Sequence, residues 1–307
     1  MMRRIPMMAV ALATVLPVTA AAQFQMSPEE EATVRIYTIA SVSLLSDYDA
    51  TGQPLVLAVP EIGHGSGIAL SSDGLILTAK HVVEGASALS VKLPRQSQAM
   101  PAVIVWEHPT MDYAFIKVRG NFRYYVELPP MGESPSLRTR DDIFAIGYPL
   151  DASQSTPSTT EGIVSRMSDD GMLQLSVSLN PGNSGGPVFV EDSDGQPKLV
   201  GIVIAKPVEG EGIAWILPIE PISEGYEQDV IPGDYVAKAV EELQGNPERT
   251  RLLDKLSVFV AEMVEAYSNP DNPHVFGNMD DAMMLAGLAD AGLPEASLLC
   301  AGILFNQ

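Results

Sequence analysis

Between Ala32 and about Leu217 the chain is a succession of short β-branched and aliphatic runs broken by glycine, proline, asparagine and aspartate. That spacing belongs to an all-β barrel or sandwich. It predicts a first set of strands at Val34–Leu45, Leu55–Val59, Gly67–Leu70, Leu75–Ala79, Ala88–Leu93, Ala102–Glu107 and Tyr113–Val118. A second set is predicted at Asp142–Gly147, Gly162–Met167, Met172–Val177, Pro187–Val190, Leu199–Ile204 and Gly212–Ile216. Asp169-Asp170-Gly171 reads as a hairpin turn. The stretch Asn121–Arg140, with Pro129, Pro130 and Pro135, reads as a connector between two β modules, and Asp151–Thr160, rich in Ser, Thr and Pro, as a mobile surface loop. After Ile219 the period lengthens. Asn246-Pro247-Glu248 has the form of a helix start, with an asparagine cap, proline at the first helical position and an acid in the first turn. Leu252, Leu256, Phe259, Met263 and Tyr267 then recur three to four apart as one apolar stripe. Shorter helices are predicted at Tyr235–Leu243, Met279–Ala291 and Pro294–Phe305.

Composition narrows the class. The 307 residues correspond to roughly two domains of about 150 residues each. Lys and Arg number 18 against 39 Asp and Glu, a net charge of −21, so a nucleic-acid partner is excluded for want of a basic face. We read the acidity as a solvated surface. A hydrophobic fraction of 46% and a charged fraction of 19% exclude wholesale disorder. Four histidines and one cysteine speak against a structural zinc cluster. Cys300, being alone, forms no intrachain disulfide and reads as a small apolar helix residue. The N-terminus has a basic start (Arg3, Arg4), an apolar run from Ile5 to Ala22 and small residues at Ala20-Ala21-Ala22. These are the parts of a secretory signal peptide cleaved near Ala22, and Pro6 and Pro17 interrupt any membrane-spanning helix there. The expectation is an exported chain, periplasmic or secreted, with no stable membrane association after cleavage.

The strongest chemical signal is Asn180-Pro181-Gly182-Asn183-Ser184-Gly185-Gly186-Pro187-Val188. A serine among glycines has an accessible hydroxyl, and the permissive backbone can aim successive N–H groups into one hole. The same letters satisfy the G-x-S-x-G elbow of α/β-hydrolases. That elbow requires a helix after the serine and a histidine later in the chain. Here a strand-like Val188-Phe189-Val190 follows, and the later histidine, His274, sits in a proline-rich turn. A nucleophilic serine needs a base. His81, in Leu77-Thr78-Ala79-Lys80-His81-Val82-Val83, lies where a β-run turns into a helical bend, although a core histidine would fit that setting equally. His64, in Gly63-His64-Gly65-Ser66-Gly67, reads as an exposed residue of a glycine turn, and His108, before Pro109, as a loop residue. Asp112 stands at the mouth of the hydrophobic run Tyr113–Val118, placed either to orient an imidazole or simply to start a strand.

The three segments Thr78–Val83, Asp112-Tyr113-Ala114 and Gly182–Pro187, in the order His, Asp, Ser, together with Gly65-Ser66-Gly67 and Ser72-Asp73-Gly74-Leu75-Ile76-Leu77, resemble the trypsin-like serine peptidases, specifically the bacterial HtrA or Deg branch. The resemblance spans about Ala32 to Ile219. It implies a mainly β fold of two six-stranded barrels, with His81 and Asp112 from the first, Ser184 from the second, and an oxyanion hole formed by the N–H groups of Gly182 and Ser184. It also implies polypeptide substrates and no metal or organic cofactor. Ser178 would lie at the base of the primary specificity pocket and Leu179 near its wall, and with no carboxylate from Leu175 to Leu179 this pocket would take small or aliphatic side chains. Asn183 stands where zymogen-activated relatives have aspartate, so activating cleavage would not be needed. The implied organisation is a signal peptide over 1–22, a peptidase domain over 23–220 with barrels at about 32–120 and 140–220, and a helical region over 221–307. The departure is this last region, which lacks a recognisable PDZ domain and would either brace the second barrel, recruit a partner or cover the cleft.

Overall fold

A computed structural model describes residues 25–48, 54–150, 153–205, 212–227, 233–267, 285 and 287–288. The signal segment, His274, Cys300 and nearly all of the helices expected over 279–291 and 294–305 lie outside these residues. Twelve strands form two closed antiparallel barrels. The first contains β1 (Thr33–Tyr48), β2 (Pro54–Ala69), β3 (Leu75–Thr78), β4 (Ala86–Lys92), β5 (Met100–Glu107) and β6 (Ala114–Val118), closed in the order β1-β2-β3-β6-β5-β4. The second contains β7 (Asp142–Gly147), β8 (Ser158–Met167), β9 (Leu173–Ser176), β10 (Pro187–Glu191), β11 (Pro197–Ala205) and β12 (Ile213–Pro218), in the order β10-β11-β12-β9-β8-β7. Closure gives every strand a neighbour on each side within its barrel, while in the far half of the β1–β2 hairpin Val42–Tyr48 and Pro54–Pro60 pair only with each other among the described residues. The fold class is therefore the one the resemblance implied.

Alternation along the strands fills each barrel: Val34, Ile36, Ile76, Val91 and Ile116 in the first, Val164, Leu175, Val188, Val200 and Ala214 in the second. A further cluster draws on both barrels, with Leu77 and Phe115 from one and Ile146, Phe189 and Ile202 from the other. This shared apolar seam fixes how the two barrels sit against each other.

Several local expectations are corrected. Leu55–Val59 and Gly67–Leu70 belong to one continuous strand, β2, which runs straight through the expected glycine turn. The glycines serve close approach rather than turning. A Cβ at Gly65 would stand 2.7 Å from Val82 Cγ1, and one at Gly67 2.8 Å from Ile76 Cγ2. His64 is consequently a half-buried strand residue, not an exposed turn residue. The loop expected to Thr160 ends earlier: Thr159 and Thr160 pair with Ile146 and Ala145 at the start of β8, as β-branched threonine allows. Of the two short helices in the first barrel, the second is the expected helical bend after β3 and the first was not anticipated. α1 (Pro28–Ala32) is held by a reciprocal capping box between Ser27 and Glu30, and α2 (Lys80–Val83) carries His81.

The helical tail comprises α3 (Ile219–Glu227), α4 (Gly233–Gln244) and α5 (Pro247–Tyr267). Pro221 and Gly225 hid α3 from the periodicity, and it is anchored by buried Ile219 and Ile222. Asn246 caps α5 as expected, its Oδ1 accepting from Glu248 N (3.0 Å) and Arg249 N (3.2 Å). Leu252, Leu256 and Phe259 are buried, and so are Leu253, Val260, Ala261 and Val264, a wider face than the predicted stripe. Met263 and Tyr267 lie outside the residues whose side chains are described. This helix packs on the first barrel, not the second: it shares a cluster with Tyr37 and Ile39 of β1, Ala88 of β4, and Ala99 just before β5. Arg119 reaches Asp254 through one nitrogen to both carboxylate oxygens, at 2.6 and 2.7 Å. Tyr37 and Lys92 both donate to Glu265, each at 2.6 Å.

Candidate active site

His81 and Asp112 are brought together by the pairing of β3 with β6, since each lies just beyond the paired ends, Thr78 and Ala114. His81 Nδ1 stands 2.7 Å from Asp112 Oδ2, and His81 N donates to Oδ1 at 2.9 Å. Burial by itself would raise the Asp112 pKa. The hydrogen bonds from the His81 ring, the His81 N–H and the Lys80 N–H outweigh it, and hold the carboxyl below the usual carboxylate range. An ionised carboxylate can only accept, so Nδ1 carries a proton, and in the neutral form of the imidazole Nε2 is then the acceptor. The two side chains remain 42% and 33% exposed, accessible to solvent rather than held in the core.

The turn that presents Asp112 has its own support. His108 Nδ1 accepts from Met111 N at 2.7 Å and from Thr110 N at 3.1 Å, and His108 N donates to Tyr113 O at 3.0 Å. The ring stacks on Tyr113, with centroids 4.9 Å apart, and meets Trp106 edge-on. Burial first, and the nearby Lys80 charge second, lower the His108 pKa and keep Nδ1 unprotonated as the double acceptor requires. His108 is thus more than the loop residue the sequence indicated, though it lies in the β5–β6 connection as expected.

Ser184 sits in the turn before β10. Its side chain is half-buried, while Gly182, Asn183, Gly185 and Gly186 around it are buried. Gly182 and Gly185 adopt φ of 98° and 80°, left-handed values that only glycine takes without strain. Neighbours leave no room for a side chain here: a Cβ on Gly185 would stand 2.2 Å from Ser66 O and 2.9 Å from Ala79 N, and one on Gly182 2.1 Å from Tyr148 O. The loop is therefore wedged against β2 and against the corner that leads from β3 to His81. Ser66 N donates to Ser184 O at 2.8 Å, and Gly185 N donates to Val203 O at 2.7 Å. Asn183 N donates to Asn180 O at 3.1 Å. Among the described residues the N–H groups of Gly182 and Ser184 have no acceptor, and no hydrogen bond joins Ser184 Oγ to His81. Such contacts are often loose before substrate binds.

Ser178 is exposed, while Leu179 is buried in the core of the second barrel beside Leu175 and Val177. His64 packs against the serine loop, with Nε2 3.2 Å from Leu150 O and Cε1 2.6 Å from the Cβ position of Gly182. Sequence reasoning used Ser66 only as part of the Gly65-Ser66-Gly67 motif and gave it no role. Its only local signal was a small polar residue flanked by close-approach glycines. Among the described residues no group of three or more His, Cys, Asp or Glu is arranged to hold a metal ion, and no helix is long and apolar enough to cross a membrane.

Residues 65–202 match the family model of the trypsin-like peptidase domain. The chain is similar to the serine protease Do-like HtrA of Bacillus subtilis, 31% identical over 209 residues that cover 61% of this chain and 45% of the relative. It is also similar to a periplasmic serine endoprotease, DegP-like, of Pseudomonas putida, 31% identical over 216 residues covering 66% of this chain and 43% of the relative. The chain thus spans less than half the length of these relatives. Among solved structures it resembles the serine endoprotease of Yersinia pestis with a TM-score of 0.50 and 24% identity, covering 69% of each chain, a likeness of fold.

Proposed function

The chain belongs to the trypsin-like peptidases, among the HtrA/DegP-like serine proteases, and from that premise we propose that it is an exported serine endopeptidase acting on unfolded polypeptides. The observation that carries the reading is the His81–Asp112 pair, whose ionised carboxylate holds the imidazole in the tautomer a base needs, set beside a glycine-framed serine. Ser184 Oγ attacks the scissile carbonyl carbon while His81 Nε2 accepts the hydroxyl proton. The oxygen that becomes negative is met by the N–H groups of Gly182 and Ser184. His81 then returns the proton to the departing amine as the C–N bond breaks. Water, activated by the same imidazole, hydrolyses the acyl-enzyme and regenerates the serine. Asp112 stays ionised throughout and stabilises the imidazolium.

Three finer readings accompany this. The neutral stretch Leu175–Leu179 favours small or aliphatic side chains before the cut, with Ser178 and Leu179 as the residues that set it. Asn183 Nδ2 donates to Asn180 O within its own loop, which supports a site that needs no newly cleaved N-terminus to form. The signal segment over 1–22 and the periplasmic description of a relative favour action outside the cytoplasm, by a peptidase domain over 23–220 followed by the helical region over 221–307.

Digestion of unfolded casein by the chain from Gln23 onward, beside its Ser184→Ala variant, tests the reading, with cut sites mapped by mass spectrometry. Cleavage by the parent alone, after Ala, Val, Ile or Leu, is expected. Equal cleavage by the variant, or none by either protein, overturns it.

A further inference from the structure

Ser66 has no solvent exposure, and its backbone and side chain both bond to the segments that build the candidate site. Ser66 Oγ donates to Gly182 O at 2.7 Å and accepts from Tyr148 N at 3.0 Å. Its N–H donates to Ser184 O at 2.8 Å, and its carbonyl accepts from Thr78 Oγ1 at 2.8 Å. One residue of the first barrel therefore ties together the exit of β7, the serine loop, and the strand that leads to His81.

The bond to Gly182 O has a directional consequence. In a trans peptide the C=O and the N–H point opposite ways. The Gly182–Asn183 peptide is held at both ends, its oxygen by Ser66 Oγ and its N–H by Asn180 O at 3.1 Å. A plane clamped in this way cannot rotate. The N–H groups on either side of it, those of Gly182 and Ser184, are the two that find no acceptor among the described residues. Without the hydroxyl, Gly182 O would be a buried acceptor missing its partner. The plane, free to turn, could then swing that oxygen toward the place where negative charge develops.

We infer that Ser66 is a positioning residue: its hydroxyl sets the orientation of the Gly182–Asn183 peptide, and through it the aim of the Gly182 and Ser184 N–H groups. The catalytic part of this inference rests on the peptidase reading above, whereas the structural part does not. Tyr148 N gives the hydroxyl its direction, since by occupying one lone pair of Oγ it leaves the proton to point at Gly182 O.

The test compares the parent with Ser66→Ala, which deletes the hydroxyl, and Ser66→Cys, which keeps the shape but donates weakly. Removing an oxyanion donor outright costs about 10²–10³-fold in kcat, so misaiming one should cost somewhat less. For Ser66→Ala we expect kcat to fall about 10- to 100-fold with KM within about twofold, and Ser66→Cys to fall between it and the parent. Hydrogen–deuterium exchange over residues 179–187 reads the clamp without turnover, and should quicken in both variants while the exchange of β3 and β6 stays unchanged. Unchanged exchange and unchanged kcat in folded Ser66→Ala overturn the inference, as does a loss of activity matched only by a loss of folded protein. Should Ser66→Ala fail to fold, Ser66→Cys decides by the same two readouts. A parent without turnover defeats the peptidase reading alone, and the exchange measurement still judges the clamp.

Discussion

His108 is the residue whose ionisation most directly reaches the candidate site without belonging to it. Its Nδ1 can accept from Thr110 N and Met111 N only while unprotonated, and burial with the Lys80 charge lowers its folded pKa from an unfolded value of about 6.5. A group whose pKa is depressed on folding stabilises the fold above its unfolded value, and that contribution is lost as pH falls through the folded value. The melting temperature of the parent should therefore exceed that of His108→Ala at pH 7.5, and the gap should narrow as pH is taken down to 5. A gap that stays constant or widens toward pH 5 would sink the assignment of His108 as a neutral acceptor. The neighbouring Asp112 carboxyl behaves in the same sense at lower pH. Its folded pKa is held down by the His81 and Lys80 hydrogen bonds against the burial that would raise it, so its contribution fades only in acid.

At the scale of elements, α5 poses a question of magnitude: whether apolar burial or ion pairs hold it to the first barrel. Arg119 and Asp254 make two short contacts, but their side chains are 33% and 46% exposed, a setting where such pairs contribute about 0–1 kcal/mol. Leu256 is buried in the cluster with Tyr37 and Ile39, and truncating such a leucine costs about 2–5 kcal/mol. Urea unfolding should place Leu256→Ala well below the parent and Asp254→Asn within about 1 kcal/mol of it. The reverse order would mean that α5 is held electrostatically. Its start was readable because Asn246-Pro247-Glu248 is a local chemical device that acts on its own backbone. Its partner was not, because an apolar stripe says that a face is covered and not by what.

The whole molecule is tied across its middle. The cluster that includes Leu77 and Phe115 from one barrel and Phe189 and Ile202 from the other makes the barrels share a core, and the tail leaves the end of β12 to cover the first barrel. Unfolding one barrel would expose apolar surface on the other, so the two should melt together. The chain has 2 tryptophans, Trp106 in β5 and Trp215 in β12, one reporter in each barrel. The single-tryptophan variants Trp106→Phe and Trp215→Phe should give coincident fluorescence transitions in urea. Separate midpoints would show that the seam does not couple the barrels.

What the sequence determined by itself was whatever is carried by neighbours along the chain. Alternation within each run specified most of the strands, and Asp169-Asp170-Gly171 specified a turn that forms with Gly171 at φ 82°; that the strands close into two barrels was implied only by the resemblance of the His81, Asp112 and Ser184 segments to a known family. Tertiary structure decided the rest, because the same residue types serve different ends according to what approaches them. The glycines around Ser66 looked like a turn and are contact points for the packing of Val82 and Ile76. The tail was expected to brace the second barrel, recruit a partner or cover the cleft, yet its helix α5 lies on the first barrel because its buried face found its complement beside β1, β4 and β5. Ser66 and His108 act through atoms of segments that only the closed barrels or a folded turn bring within hydrogen-bonding distance. A hydrogen bond needs its partner within about 3 Å, and for Ser66 and Gly182 that proximity is created by barrel closure and by the apolar seam rather than by the local sequence.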